Sequence, residues 1–282
     1  MDLVTGTLTL RPYVFAFLVL FLAASCADLG WRRTLAFGGS VWPVAWLAEF
    51  ASTRIGVPFG LYHYTGITRG RELYVANVPF MDSLSFVFLA YASFCLARAA
   101  LAGRRTPAWM PALVTGVLMT ALDLVIDPLA VRGDRWFLGR IFYYPDGGVY
   151  FGVPLSNFAG WTIVGAVSVG LYLALAGSAR PASVGAGSPR PACAEGGPRE
   201  ARPAATRPSS PGADVFGGRV WPGVALYYGV LGFNLAVTAW LREWVLLALG
   251  GALHALIAVT VRLTREKPGT LPGLRRRGVQ RA

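Results

Sequence analysis

Charged side chains are scarce in this chain. Only 14% of its 282 residues are Asp, Glu, Lys or Arg, whereas soluble domains carry about 25%. Hydrophobic residues make up 55% of the chain, and its mean hydropathy is +0.51. The length would allow one or two soluble domains, but the polar surface that such domains need is missing. The composition therefore predicts an integral membrane protein.

Cysteine and lysine are also rare, and each scarcity excludes a class of protein. The three cysteines are isolated and show neither C-x-x-C nor metal-ligand spacing, which argues against a disulfide framework and a metal site. The single lysine, Lys267, lies beyond the last apolar run. A seven-helix photoreceptor needs a lysine in its last helix for a retinal Schiff base, so this class is excluded.

Positive charge is the exception, since the net charge is +12. The basic residues lie in short loops between apolar runs and in the C-terminal tail, as membrane topology requires, so we do not expect nucleic-acid binding. The loops after the first, third and fifth runs and the tail together hold 18 Lys and Arg residues, whereas the N-terminus and the other loops hold 8. The positive-inside rule then places the N-terminus outside and the C-terminus in the cytoplasm of a multi-pass cell-membrane protein, expected in a prokaryotic inner membrane.

Seven apolar runs are present, and a spanning helix needs about 20 apolar residues. We therefore predict an all-α membrane bundle of about seven transmembrane helices, with six to eight as the range. The first run resembles a signal peptide at "AASCA", but it lacks a basic region before Arg11 and is interpreted as a membrane helix. The runs are Tyr13–Ala27, Leu35–Phe50, Val78–Leu101, Trp109–Ile126, Val153–Ala176, Val220–Trp240 and Trp244–Leu263.

The composition divides the chain into four parts. Residues 1–176 form a five-helix membrane part that carries the candidate site. Residues 177–219 are rich in Pro, Gly and Arg without apolar periodicity, which predicts a disordered linker. Residues 220–263 form a two-helix membrane part, and residues 264–282 form a basic tail that we expect to lie along anionic headgroups.

Two aspartates lie in the fourth run, within "ALDLVIDPLAV". Asp123 and Asp127 are four residues apart and therefore share a helix face at about 6 Å. Asp127 is expected to mark the helix end, because Pro128 disfavours the helical conformation at the residue before it. Two carboxyl groups this close do not both ionise readily, which favours an acid and base pair. The alternative is two helix-end acids that are either wetted by headgroup water or paired with Arg132 or Arg135.

Other polar groups at the same membrane face are further candidates. A carboxylate at membrane depth costs several kcal/mol and is a functional hypothesis by default. Glu49 ends the second run and has Arg54 as an alternative partner, while Asp82 is interpreted first as a helix N-cap. His63 is either a proton carrier or an interfacial histidine among tyrosines. His254 is interpreted as a packing residue.

Residues 144–161, "YPDGGVYFGVPLSNFAGW", lie directly before an apolar run. Irregular backbone at membrane depth is tolerated where it is buried in protein or lines a cavity. We therefore predict that this segment forms one wall of a cavity shared with the acidic residues. Aromatic belts at membrane interfaces are common, yet aromatic faces also stabilise cations.

Four segments resemble one family of membrane enzymes: "EF…FGLYHYTG", "VPFMDSLSFVFLAY", "DLVIDP" and "GVPLSNFAGW". They resemble the CruF-type carotenoid biosynthesis proteins, the carotenoid 1,2-hydratase family that includes bisanhydrobacterioruberin hydratase. The resemblance covers roughly residues 40–165. The chain departs from the family pattern in "MDSLSF", where a Pro and a Trp are common.

This resemblance implies cofactor-free addition of water to the terminal isoprenoid double bond of an acyclic carotenoid end, which gives a tertiary alcohol. The implied partners are a lipophilic carotenoid, the lipid bilayer and other carotenoid enzymes. Hydration begins with protonation by a neutral acid in a dry pocket, and a carboxylate then orients or deprotonates water. Asp127 or Asp123 is the expected acid with the other as base, and Glu49 is the second candidate. The expected substrate-binding residues are His63, Tyr64, Asp82, Tyr150, Asn157 and Trp161.

Two other functions remain open at this point. A lycopene cyclase shares the protonation step, but the P-x-E-E type of acidic motif is missing from the sequence. A proton-coupled transporter would also carry intramembrane acids. The acids of this chain cluster at one membrane face and no internal repeat is found, which favours an enzyme over a transporter.

Overall fold

The computed structural model describes residues 2–178 and 218–266, which form helices joined by loops with short strands. The strands are β1 (His63–Tyr64), β2 (Tyr74–Val75), β3 (Val78–Pro79) and β4 (Phe142–Tyr143). One turn of 3-10 helix covers Gly133–Arg135. The helices are α1 (Leu3–Leu10), α2 (Pro12–Leu29), α3 (Trp31–Ile55), α4 (Phe80–Leu101), α5 (Met110–Ala130), α6 (Leu155–Ser178), α7 (Val220–Trp240) and α8 (Trp244–Glu266).

Six of these helices are long and apolar enough to cross a membrane, namely α2 and α4 to α8. The protein is therefore an all-α, multi-pass membrane protein, as the sequence predicts. Helix α3 has 25 residues, about 37 Å at 1.5 Å per residue, which exceeds the bilayer's hydrocarbon thickness of about 30 Å. Its charged residues make α3 less hydrophobic than the other six helices, although it is as long as they are.

The long helices run alternately up and down. At one end, α2 begins beside the start of α4, where Arg11 binds Asp82, and α5 ends beside the start of α6. We call this the loop end, because residues 56–79 and 131–154 cover it. At the opposite end, α2 and α4 finish together at the Asp28–Arg98 ion pair. The two described termini thus lie at opposite ends, and the predicted orientation of these ends in the membrane stays a prediction.

Helix α4 is the centre of the bundle. In the most apolar 18-residue stretch of each helix, 78% of α4 is buried, compared with 17% of α8 and 28% of α2. It packs against α2, α3, α5, α7 and α8, which explains why apolar residues surround it instead of following one stripe. The two-helix part predicted for residues 220–263 is therefore docked on the five-helix part through α4. The predicted linker, residues 177–219, is described only at its ends, where α6 continues to Ser178; residues 179–217 of it, and the predicted tail beyond residue 266, lie outside the described residues.

Two glycines let α5 and α6 approach closely. A Cβ atom on Gly116 would collide with the carbonyl of Thr162, and one on Gly165 would meet the Gly116 backbone and the Met119 sulfur. One turn along the same seam, the hydroxyls of Thr120 and Thr162 are 2.7 Å apart. This close contact holds the end of α5 against the start of α6, and both of these segments carry predicted site residues.

The structure corrects two predicted helix boundaries. Helix α5 does not end at Asp127 but continues through Pro128 to Ala130. Proline removes an N–H donor only in the last turn here, and Val131 N–H still bonds to the Asp127 carbonyl at 3.0 Å. Helix α4 begins at Phe80 with Pro79 as its N-cap, so Asp82 is a first-turn residue and not the predicted cap.

The two loops at the loop end pair with each other. Strands β1 and β4 are antiparallel, with His63 opposite Tyr143 and Tyr64 opposite Phe142. Strands β2 and β3 form a second small ladder just before α4. The pairing of β1 with β4 brings the "FGLYHYTG" segment against the loop that precedes α6, so both cover the same end of the bundle.

Candidate active site

A cavity of about 150 Å³ lies at the loop end between α2, α3, α4, α5, α6 and α7. It combines an apolar, aromatic lining with several ionisable groups, which are costly to bury without a partner. Its polar lining residues are Arg11, Glu49, Asp82, Ser85, Asp127, Asn157 and Asn234. Its aromatic lining residues are Tyr13, Phe17, Phe59, Tyr62, Tyr64, Phe86, Phe88, Trp136, Phe142, Tyr144, Trp161 and Phe233.

Glu49, near the end of α3, presents a carboxyl group to this cavity. The residue is only 5% exposed, and its Oε1 accepts a hydrogen bond from the Tyr64 hydroxyl at 3.1 Å. Its Oε2 is buried and has no hydrogen-bond partner in the described part of the chain. Burial and the nearby Glu49 carboxyl raise the pKa of the Tyr64 phenol well above its ordinary value. The phenol therefore remains a donor to Glu49 at physiological pH.

Asp123, Asp127 and Asn157 form a second polar group. The Asn157 amide nitrogen donates to Asp123 Oδ2 at 2.7 Å and to Asp127 Oδ2 at 2.8 Å. This confirms that the two aspartates share a helix face. Asp127 and Asn157 line the cavity, whereas Asp123 is completely buried behind them. Both amide hydrogens of Asn157 are occupied, so the predicted substrate binding by this residue is left to its amide oxygen.

The alternative ion-pair partners considered for these acids bind elsewhere. Arg132 and Arg135 both bind Glu243, at 3.2 and 2.7 Å, and not the two aspartates. Arg54 donates to Asn77 at 2.8 Å and to backbone and side-chain oxygens of its own helix end. The hypothesis of helix-end acids neutralised by these arginines is therefore wrong for this arrangement.

Asp82 belongs to a buried cluster that the sequence analysis missed. Arg11 binds Glu72 through two parallel hydrogen bonds of 3.0 Å and also binds Asp82. The side chains of Arg11 and Glu72 are 2% and 0% exposed, whereas that of Asp82 is 22% exposed. Arg11 is the one basic residue before the first apolar run, at the face predicted to be poor in positive charge. This unusual position is the sequence feature that could have indicated an ion pair with the acids of that face.

Aromatic rings form most of the remaining wall. Trp161 of α6 stacks on Phe86 of α4, with 4.3 Å between the ring centroids. Tyr62 contacts Tyr64 and Tyr144, at 5.4 and 5.8 Å. Burial, followed by the charge of Asp127, raises the pKa of the Tyr144 phenol. The predicted cavity wall at residues 144–161 is thus present at Tyr144, Asn157 and Trp161.

Two expected lining residues lie outside the cavity. His63 and Tyr64 are neighbours in β1, and successive strand side chains point to opposite faces. Tyr64 faces the cavity, so the His63 ring turns away and lies against Tyr143, 5.9 Å away. Tyr150 packs on Phe158, with 5.3 Å between the rings, and is likewise not among the lining residues.

His254 behaves as the predicted packing residue. It is 2% exposed, and its Nε2 lies 2.9 Å from the Ala121 carbonyl oxygen. Across residues 2–178 and 218–266, no three His, Cys, Asp or Glu side chains are grouped so that they could hold a metal ion.

Comparison with known proteins assigns the family. Residues 10–188 match the family described as carotenoid biosynthesis protein, and this segment is more than half of the chain. The protein belongs to the carotenoid biosynthesis protein family. The matched segment contains every lining residue of the cavity except Val230, Phe233 and Asn234 of α7.

One curated relative of this carotenoid biosynthesis protein is the bisanhydrobacterioruberin hydratase of Haloarcula japonica. The two chains are 32% identical over 124 residues, which cover 44% of this chain and 39% of the relative. The aligned region thus spans well under half the length of the relative. No solved structure matches the chain. Family and relative together support a carotenoid-modifying membrane protein, as the sequence resemblance implies.

Proposed function

We propose that this protein adds water to the terminal isoprenoid double bond of an acyclic carotenoid end and so forms a tertiary alcohol. The relative is named a hydratase, and the cavity combines a buried carboxyl group with an aromatic lining. A cell membrane, predicted as the prokaryotic inner membrane, is the proposed location.

The size of the cavity suits the end of such a substrate. A dry cavity of about 150 Å³ can hold benzene, and one five-carbon isoprenoid unit is of similar size. The volume here is about 150 Å³, so the terminal unit enters and the rest of the chain stays outside. The apolar end of the cavity, where Phe17 of α2 meets Phe233 of α7 at 5.8 Å, is the proposed passage for the polyene.

The unpartnered oxygen of Glu49 carries the proposal. A carboxylic acid whose O–H has no acceptor within the described residues can give its proton to an alkene carbon that enters the cavity. A new C–H bond forms at the terminal double bond, the O–H bond breaks, and the remaining carbon becomes a tertiary cation. Trp161 and Phe86 line the cavity, and aromatic rings beside a cation stabilise it.

Water then completes the reaction. It forms a C–O bond to the cation, and the resulting oxonium ion loses its proton to a carboxylate. Asp127 lines the cavity and is held by Asn157 at 2.8 Å, so it is the proposed base. Asp123 does not line the cavity, which favours Glu49 over Asp123 as the acid. The sequence analysis predicted Asp123 or Asp127 as the acid, and that assignment stays a prediction alongside the proposal of Glu49.

Pigment analysis tests the proposal. The protein is expressed in a bacterium that accumulates an acyclic carotenoid. The pigments are separated by chromatography, and their masses are determined by mass spectrometry. Hydration adds the mass of one water molecule, whereas an isomeric product would identify a cyclase and contradict hydration.

The Glu49→Gln variant tests the acid in the same host. General acid catalysis contributes about 10²- to 10⁴-fold, so we expect hydration to fall by about a hundredfold or more. Glu243→Gln is the matched control, because Glu243 binds Arg132 and Arg135 outside the cavity. Full hydration by the Glu49→Gln protein would remove Glu49 as the acid.

A further inference from the structure

The Arg11 cluster contains one more acid than base. Arg11 is positively charged at any physiological pH, and it contacts two carboxylates, Glu72 and Asp82. The paired hydrogen bonds to Glu72 are the geometry in which an arginine binds one carboxylate most strongly. With both acids ionised, Glu72 neutralises Arg11, and the charge of Asp82 remains as a net negative charge.

The two acids of the cluster differ in where they lie. Asp82 lines the cavity and Arg11 lines it beside Asp82, whereas Glu72 is not among the lining residues. The Glu72 side chain is completely buried, in the loop before β2. Glu72 therefore cannot touch a molecule in the cavity, and any effect that it has on the reaction must pass through Arg11.

We propose that Glu72 is a positioning residue of the active site, which cancels the charge of Arg11 so that the cavity keeps the negative charge of Asp82. Without Glu72, Asp82 alone would neutralise Arg11, and the cavity edge would carry no net charge. This inference rests on the proposed hydration, because the intermediate of that reaction is a cation. A negative charge at the cavity edge stabilises this cation, and a neutral pair does not.

The charge of Glu72 should affect the rate of the chemical step and not the binding of the substrate. The alkene substrate is uncharged and becomes a cation only in the transition state, so loss of the net charge should leave binding unchanged and slow the chemical step. In contrast, a cluster that only anchored the start of α2 to the loop would, when broken, disturb the shape of the cavity. Binding and the chemical step would then change together.

Glu72→Gln and Glu72→Asp, measured in membranes that contain the full chain, test the proposal. Glu72→Gln keeps the shape and an acceptor oxygen for Arg11 but removes the charge. We expect its hydration rate to fall by about tenfold, the order of effect of one nearby charge, with an unchanged KM for the carotenoid. Glu72→Asp keeps the charge with a shorter side chain, and we expect it to stay within about threefold of the wild-type rate, since the Coulomb attraction persists.

A buried ion pair at the opposite end provides the control for lost stability. Asp28 binds Arg98 at 2.5 Å with both side chains buried, far from the loop end, so Asp28→Asn breaks a comparable pair without altering the charge at the cavity. We expect Asp28→Asn to retain the wild-type rate per folded molecule.

The possible outcomes separate the two proposals. A wild-type protein that forms no hydrated carotenoid would overturn the hydration proposal itself. If the wild type hydrates, equal rates for Glu72→Gln and the wild type would overturn only the role of Glu72. Equal losses in Glu72→Gln and Glu72→Asp, or a raised KM in both, would show an anchoring role and would also overturn it.

Discussion

At the scale of single residues, Asn157 links two acidic side chains at the edge of the cavity. Its amide nitrogen donates to Asp123 and to Asp127, two carboxyl groups that would otherwise face each other in a dry environment. The i to i+4 spacing predicted that the aspartates would be close. It could not predict that a residue from another helix would bridge them, because that contact depends on how α5 and α6 pack.

We expect Asn157→Ala to lower both stability and hydration. Leaving a buried polar group without its hydrogen bond costs about 1–3 kcal/mol, and Asp127 would lose its fixed position beside the cavity. Thermal unfolding of the detergent-solubilised protein and the ratio of hydrated to unhydrated pigment are the measurements. Ser168→Ala on the same helix, where the hydroxyl bonds to the Val164 carbonyl, should leave the pigment ratio unchanged. A wild-type pigment ratio in Asn157→Ala would contradict the bridging role.

At the scale of helices and strands, small conformational details decide which side chains reach the cavity. Strand alternation turns Tyr64 inward and His63 outward, although both looked equally suitable in "FGLYHYTG". Helix α5 continues past Pro128, so Asp127 remains on the helical face that Asn157 reaches. The sequence predicted the long helices, since runs of apolar residues largely determine where membrane helices form, but it predicted neither α1 nor the short strands.

The contact between α5 and α6 leads to a prediction about Gly116. A methyl group there would collide with the Thr162 carbonyl, and overpacking of this kind costs about 1–3 kcal/mol. We therefore expect Gly116→Ala to lower the unfolding temperature and to reduce hydration, because α6 carries Asn157 and Trp161. Gly170→Ala is the matched control, since its new methyl group would have its nearest neighbour at 3.9 Å, an ordinary contact. Equal unfolding temperatures for the two variants would contradict the close packing.

At the scale of the whole molecule, the cavity depends on both sides of the predicted linker. Helix α7 follows residues 179–217, yet it contributes Val230, Phe233 and Asn234 to the lining. The rings of Tyr13 and Phe233 stack at 5.4 Å, which joins α2 and α7 at the proposed passage for the polyene. The two-helix part is therefore a component of the candidate site and not an appendage to it.

We expect Phe233→Trp to narrow this passage. A larger ring between α2 and α7 should lower conversion of a full-length acyclic carotenoid by about tenfold, the discrimination that small steric changes produce. Conversion of a short isoprenoid alkene, which fits inside the cavity, should be almost unchanged. Leu20→Trp is the control, because Leu20 is 53% exposed on the outer face of α2. Equal losses for long and short substrates would place the passage elsewhere.

The sequence by itself determined the membrane residence, the long apolar helices and the end of the bundle at which the acids gather. These follow from composition and local periodicity, which do not require a tertiary fold. The tertiary structure decided which acids share a cavity. Glu49, Asp82 and Asp127 come from three helices. Behind the cavity wall, Glu72 binds Arg11 from 61 residues away in the chain. Contacts at such distances depend on helix packing and loop pairing, and no local pattern in the sequence encodes them.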